Sequence, residues 1–95
     1  MLLSVPPSDT VNVHALHATN RFLRQFDAAP PLIQAAVKKQ LMLLRTQGLR
    51  YPSLRAEKHD PKHKIWWLRA TLSWRFYVQV TDQGYLLLTL FPHPK

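Results

Sequence analysis

Residues 64–81 form two arms joined by a short turn, both rich in β-branched and aromatic side chains, and in the second arm hydrophobic and polar positions alternate with a period of two. The second arm places its apolar side chains on one face, namely Trp74, Phe76, Val78 and Val80. The other face of the same arm consists of Arg75, Tyr77, Gln79 and Thr81. This period is that of a β-strand with one buried face, so the pattern predicts a hairpin with strands over 64–71 and 74–81. A third adjacent antiparallel strand is predicted over 85–91, after a turn at Gly84.

The first half of the chain has helical spacing instead. One apolar face recurs at Ile33, Val37, Leu41 and Leu44. This spacing predicts a helix over 31–47 that begins at Pro31 and ends before Gly48. A shorter helix is predicted after Thr19, whose hydroxyl can cap its first turn, and it ends before Pro30.

The remaining segments have weaker patterns. Alternation over residues 11–16 predicts a first strand, and residues 1–9 are expected to be a loose tail interrupted by two prolines. Residues 49–63 have no apolar period and are expected to form a loop. A connection of this length in a small domain is often functional, and this one is rich in basic residues and histidine.

The composition adds a strong positive charge to this picture. The 95 residues contain 13 Lys and Arg against 5 Asp and Glu, a formal charge of +8. Such an excess is expected to attract phosphates or an acidic protein. The sequence has no cysteine, its first apolar run is too short for a signal peptide, and no segment reaches the length of a membrane span. We therefore expect a single cytoplasmic domain over 1–95 with no membrane contact.

Few groups in the basic region can carry acid–base chemistry. His59 and His63 have the i,i+4 spacing of a metal pair on a helix, but Pro61 lies between them and no third ligand is evident. We therefore expect no metal and no cofactor. Histidine can transfer protons near neutral pH, and arginine can stabilise charge on phosphoryl oxygens, so this set of residues can cleave RNA without a metal. Taken singly, each histidine is more often a surface residue and Tyr77 more often a packing residue.

The run from Leu68 to Val80 resembles the central hairpin of the RelE/ParE toxin superfamily. The resemblance lies in the pair Leu68-Arg69 on the first strand, and in Trp74-Arg75 followed by alternating hydrophobic residues on the second. Residues 53–58 are similar to the basic segment that precedes this hairpin in the family. The resemblance implies an α+β fold, with a helical hairpin packed on one face of a mostly antiparallel sheet of about four strands.

The same resemblance implies a function and a site. Members of the superfamily that cleave mRNA on the ribosome carry catalytic groups at positions that here are Lys58, His59, Arg69 and His93. Residues expected to contact RNA are Arg55, Lys62, Lys64, Trp67, Arg75, Tyr77 and Lys95. The implied partners are a cognate antitoxin, the ribosome and mRNA. We expect Lys58, Arg69 and His93 to reach a single phosphate in one groove.

Two alternatives remain open from the sequence. The ParE branch of the superfamily inhibits DNA gyrase and lacks the cleavage residues, and a further relative binds nucleic acid or protein without catalysis. Arg75 lies in the middle of a strand, at a position shared by toxins of different activities, so a structural or partner-binding role is also expected for it.

Overall fold

The computed structural model describes residues 15–92, and five strands and two helices lie within this range. In chain order the elements are β1 (Ala15–Ala18), α1 (Asn20–Ala28), α2 (Pro31–Gln47), β2 (Glu57–Asp60), β3 (Ile65–Thr71), β4 (Trp74–Thr81) and β5 (Gly84–Pro92). A short 3-10 turn over Pro52–Leu54 precedes β2. The strands form one sheet in the order β1-β5-β4-β3-β2. Only the β1–β5 pair among these described strands is parallel.

The predicted fold class and its main elements are confirmed. α2 covers the predicted residues 31–47, and β3, β4 and β5 are adjacent antiparallel strands close to the predicted bounds. Thr19 caps α1 as expected, because its Oγ1 accepts a hydrogen bond from the Phe22 amide at 3.0 Å. Gly48 follows α2 with a φ of 89°, a positive φ that glycine adopts readily.

Two segments differ from the predictions. The first strand runs over Ala15–Ala18, later than the predicted 11–16, and residues 1–14, which include the expected tail, lie outside the described residues. The expected loop over 49–63 contains a fifth strand, β2, whose residues Glu57–Asp60 are all polar. β2 lies at the edge of the sheet, where short strands with charged side chains are common, so hydrophobic alternation did not reveal it.

Both helices pack on one face of the sheet. Phe22 of α1 meets Phe76 of β4 edge to face, with ring centroids 6.4 Å apart. Val37 and Leu44 of α2 join the same core, in which Leu68 is fully buried. Side chains on the other face of β3 and β4 point away from these helices. Within residues 15–92, neither helix is both long and apolar enough to cross a membrane.

Candidate functional site

Three arginines meet in a pocket on the open face of the sheet, the face that points away from the helices. The pocket has a volume of about 270 Å³ and is lined by Arg55, Glu57, Trp67, Arg69 and Arg75; we call it the arginine pocket. Arg69 of β3 and Arg75 of β4 are directly paired in the sheet register. Like charges in directly opposed positions are destabilising, so this pairing favours a bound anion.

Arg69 is a partly buried residue of this pocket. Its Nε atom is buried and has no hydrogen-bond partner among the described residues. A buried polar atom without a partner costs free energy, and a ligand oxygen that accepts from it would recover that cost. Arg69 was predicted to be catalytic, and its place in one pocket with two other arginines fits a group that binds negative charge.

Gln40 supports Arg69 from the other side of the sheet. This residue of α2 is only 7% exposed, and its Nε2 donates to the carbonyl of Arg69 at 2.8 Å and to that of Ser53 at 3.0 Å. One amide thus ties the strand that carries Arg69 to the turn that precedes Arg55. Gln40 was not among the predicted site residues, although a glutamine between apolar positions of a buried helix face was a signal for such a role.

Arg75 has a structural role as well as a place in the pocket. Its Nη1 donates to the carbonyls of Thr71 at 2.6 Å, Leu72 at 3.2 Å and Trp74 at 3.1 Å, and so holds the β3–β4 turn. Burial and the charge of Arg69 lower the pKa of Arg75 from its ordinary value. Arginine is so strongly basic that the side chain stays cationic at neutral pH.

Glu57 brings a carboxylate into the arginine pocket. Its Oε1 accepts a hydrogen bond from Nε1 of Trp67 at 3.1 Å, across the β2–β3 pair. Glu57 is the one acidic residue among the five that line this described pocket. Glu57 was not among the predicted site residues, because its position beside the arginines depends on the unpredicted strand β2.

Arg55 enters the pocket from the turn before β2. Leu54 is fully buried and anchors this turn, and Arg55 then adopts a φ of 49°, in the left-handed region. This conformation costs a residue with a Cβ roughly 1–2 kcal/mol. The turn therefore holds Arg55 in a particular orientation at some cost in stability.

An aromatic row continues the open face beyond the arginine pocket. The rings of His59 and Tyr77 are stacked with centroids 4.6 Å apart, and Tyr77 lies 5.1 Å from Phe91 on β5. Tyr77 is the direct cross-strand partner of Trp67. His59 and Tyr77, both predicted site residues, are thus close to the arginine pocket without lining it.

Lys58 is on the other face of the sheet. It pairs in register with Trp66, which packs against the core, and its Nζ lies 5.6 Å from the centroid of a Trp66 ring. The expected convergence of Lys58 and Arg69 on one phosphate is therefore not seen. The reason is the strand β2, in which neighbouring residues point to opposite faces, whereas the expectation treated this segment as a loop.

The other predicted residues lie elsewhere. Lys62 and Lys64 are exposed in the turn between β2 and β3, where Lys64 has a φ of 58°. In this turn His63 Nδ1 lies 2.8 Å from Oδ2 of Asp60. His93 and Lys95 lie outside the described residues, so their place relative to the pocket stays a prediction.

Comparisons with known proteins show which solved structures have a similar architecture. Neither a family model nor a curated protein sequence matches the chain. Among solved structures, the archaeal RelE–RelB complex from Pyrococcus horikoshii matches with a TM-score of 0.74 at 11% identity, over 87% of this chain and 98% of that one. This chain has the RelE-like fold.

Two further structures agree with the RelE-like fold. The toxin–antitoxin complex RelBE2 from Mycobacterium tuberculosis matches with a TM-score of 0.67 at 19% identity, over 86% of this chain and 99% of that one. The DinJ–YafQ toxin–antitoxin complex from E. coli matches with a TM-score of 0.70 at 11% identity, covering 84% and 92% of the two chains. At such identities the likeness is one of backbone architecture.

Proposed function

We propose that this chain is the toxin of a type II toxin–antitoxin pair and that it cleaves mRNA on the ribosome. The observation that carries the proposal is the arginine pocket, where three cations and one carboxylate meet on the open face of a RelE-like sheet. The similarity to chains from toxin–antitoxin complexes supports the toxin role. A cytoplasmic location follows from the proposed target.

The proposed reaction is an attack within the RNA backbone. The 2′-oxygen forms a bond to the phosphorus, the bond from phosphorus to the 5′-oxygen breaks, and a 2′,3′-cyclic phosphate and a 5′-hydroxyl result. Arg55 and Arg69 stabilise the charge that builds on the phosphoryl oxygens, because arginine offers several donors in a fixed plane. Arg75 adds positive charge while it holds the turn beside them.

Proton transfer needs a base and an acid. Glu57 lies in the pocket with the arginines and takes the proton of the 2′-hydroxyl in this proposal. His93 gives a proton to the leaving 5′-oxygen, as the resemblance implies for the end of the last strand. His59, stacked on Tyr77 nearby, is a second group that can exchange a proton near neutral pH.

The ribosome supplies what the small domain lacks. The arginine pocket is formed by five residues on an open sheet surface and encloses little of a polynucleotide. Holding a substrate in a reactive geometry can lower a barrier by several kcal/mol. We infer that mRNA held in a ribosome is aligned for attack in a way that free RNA is not. The cognate antitoxin in this proposal covers the arginine pocket with acidic groups.

Primer extension on a translated message tests the proposal. Purified protein is added to a translating extract, and cleavage is expected within the coding region, with products that end in a 2′,3′-cyclic phosphate and begin with a 5′-hydroxyl. The same message without ribosomes is expected to stay intact over the same time. Intact message together with inhibited DNA supercoiling would replace this proposal with the gyrase inhibitor of the ParE branch.

A further inference from the structure

A second basic pocket lies beside the arginine pocket, at the end of the sheet near the 3-10 turn. It has a volume of about 310 Å³ and is lined by Leu49, Arg50, Tyr51, Pro52, Arg55, Ala56 and Trp66; we call it the edge pocket. Arg55 lines both pockets. Trp66 and Trp67 are neighbours on β3 and point to opposite faces, so each pocket receives one of the two indole rings.

The edge pocket combines cations with aromatic rings. Its lining contains two arginines and no acidic residue among the described side chains. Lys58 adds a third cation, since its Nζ lies 5.6 Å from the centroid of a Trp66 ring. Tyr51 is 37% exposed, so part of its ring is accessible to a ligand. Aromatic faces beside cations are the combination that binds single-stranded nucleic acid, where bases stack on rings and phosphates meet positive charge.

We propose that the edge pocket is a second binding subsite for single-stranded RNA. A base stacks on the exposed ring of Tyr51, and its phosphate lies between Arg50 and Lys58. Arg55 contacts the phosphate that follows, and the strand then continues around the β2 edge into the arginine pocket. This inference rests on the proposed function for the identity of the ligand, and it gives Lys58 and Arg50 a binding role away from the bond that is cleaved.

Binding of a non-cleavable RNA tests the subsite apart from catalysis. Fluorescein-labelled 2′-O-methyl oligonucleotides of two and of eight nucleotides are titrated with the full chain, and anisotropy is followed at several salt concentrations. The double variant Arg50→Gln/Lys58→Gln removes two charges from the edge pocket. The matched control Lys38→Gln/Lys39→Gln removes two charges from exposed positions of α2. Melting temperatures of all variants are compared first, to confirm that each is folded.

The salt dependence of RNA binding is expected to differ between the two double variants. For the eight-nucleotide RNA, the edge-pocket variant is expected to reduce the slope of log affinity against log salt by about 0.7, since Arg50 and Lys58 share one phosphate and each lost phosphate contact contributes about 0.7 for a single strand. The control variant is expected to leave the slope near that of the wild type. Tyr51→Ala is expected to weaken binding of the longer RNA about 5- to 100-fold, the loss of one stacked base. The two-nucleotide RNA is too short to occupy both pockets at once, so it is expected to bind more weakly than the eight-nucleotide RNA.

Other outcomes would overturn the subsite. Equal losses in the edge-pocket and control variants would mean that overall charge, rather than this pocket, binds RNA. An acidic peptide such as oligoglutamate that competes as well as RNA, with no effect of Tyr51→Ala, would assign the pocket to a protein partner. Failure of the proposed function is seen separately: RNA binding that depends on Tyr51, with no cleavage on the ribosome, would keep the subsite and remove the nuclease.

Discussion

The two faces of the central hairpin are built from alternate residues of the same two strands, yet they differ in almost every property. On the helix side, Leu68, Phe76 and Val78 are fully buried in the core. On the open side, Arg69 and Arg75 are only partly buried and meet in a charged pocket. Because neighbouring residues of a strand point to opposite faces, the side chains that stabilise the core and the side chains that form the charged pocket come from adjacent positions.

The difference between the two faces depends on the register in which β3 pairs with β4. A slip of one residue in β3 would move Arg69 into the core and Leu68 into the pocket, and would lose both the fold and the site. The observed pairing fixes the arrangement, because Leu68 is opposite Phe76 and Arg69 is opposite Arg75. We therefore expect substitutions on the helix side to change stability, and substitutions on the open side to change activity.

The largest effect is expected for Phe76→Ala. This side chain is fully buried and contacts Phe22, so its removal leaves a cavity in the core. The free energy of unfolding is expected to fall by about 3–5 kcal/mol in urea denaturation. Tyr77→Ala, the next residue on the open face, is the matched control and is expected to lose much less. Similar losses for the two variants would contradict the division between the faces.

Arg69→Ala is expected to have the largest effect on activity. Loss of a donor that stabilises transition-state charge lowers rates about 10²- to 10³-fold, so cleavage measured by primer extension is expected to fall by that order. The melting temperature is expected to stay close to that of the wild type, because Arg69 lies outside the apolar core. Arg45→Ala removes an exposed arginine from α2 and serves as the control. Full activity in the Arg69 variant would move the catalytic site away from the arginine pocket.

Gln40→Leu is expected to lower both stability and cleavage, because Gln40 is buried on the helix side and bonds to the strand that carries Arg69. It removes the hydrogen bonds to Arg69 and Ser53, and leaving buried carbonyls unpaired costs about 1–3 kcal/mol of stability. Cleavage is expected to fall as well, in kcat more than in KM, because Arg55 and Arg69 lose their common support. Thermal melting measures the loss of stability, and the rate of cleavage of one message at several message concentrations measures kcat and KM.

The control for this variant is Gln34→Leu, on the same helix. Gln34 Nε2 also donates to two carbonyls, those of Phe26 at 2.8 Å and Asp27 at 3.3 Å, but these belong to α1. Stability is expected to fall while cleavage by the folded protein is unchanged. If both glutamine variants lose cleavage in proportion to stability, Gln40 has no positioning role.

The parts of the molecule that the sequence predicted are those with a strong local pattern. α2 repeats its apolar face at helical spacing, β4 alternates with a period of two, and β3 and β5 are largely apolar runs bounded by turns. β2 has four polar residues and exists only because β3 offers it a pairing edge, so no local pattern reveals it. Its absence from the predictions explains why Glu57 was missed and why Lys58 was expected on the wrong side.

Part of the lining of the arginine pocket could be predicted from the alternation of side chains within the hairpin. Arg69, Arg75 and Trp67 share a face by alternation within the hairpin, and their proximity could be predicted from the period alone. The contributions of Arg55 and Gln40 depend on the turn over Pro52–Leu54 and on contacts between residues distant in sequence. Only the folded chain brings these groups together.

The smallest effect is expected at the β2–β3 turn, which belongs to neither face. Oδ2 of Asp60 lies 2.8 Å from Nδ1 of His63, and Oδ1 accepts a hydrogen bond from the His63 amide at 3.2 Å. The side-chain hydrogen bond lowers the pKa of the Asp60 carboxyl. Because the pKa of Asp60 is lower in the folded chain than in the unfolded one, its stabilising effect is complete above the unfolded value. It is lost as the pH falls below about 4, through the folded value.

Asp60→Asn is therefore expected to lower the melting temperature slightly at neutral pH. The difference from the wild type is expected to shrink as the pH falls through the acidic range, since the wild-type carboxyl then becomes protonated. Asp82→Asn, in the β4–β5 turn, controls for the loss of one negative charge from a basic protein. Cleavage is expected to be unaffected by either change, because the turn lies outside the lining of the arginine pocket. A loss of cleavage in Asp60→Asn alone would show that this turn, with Lys62 and Lys64, is part of the RNA-binding surface.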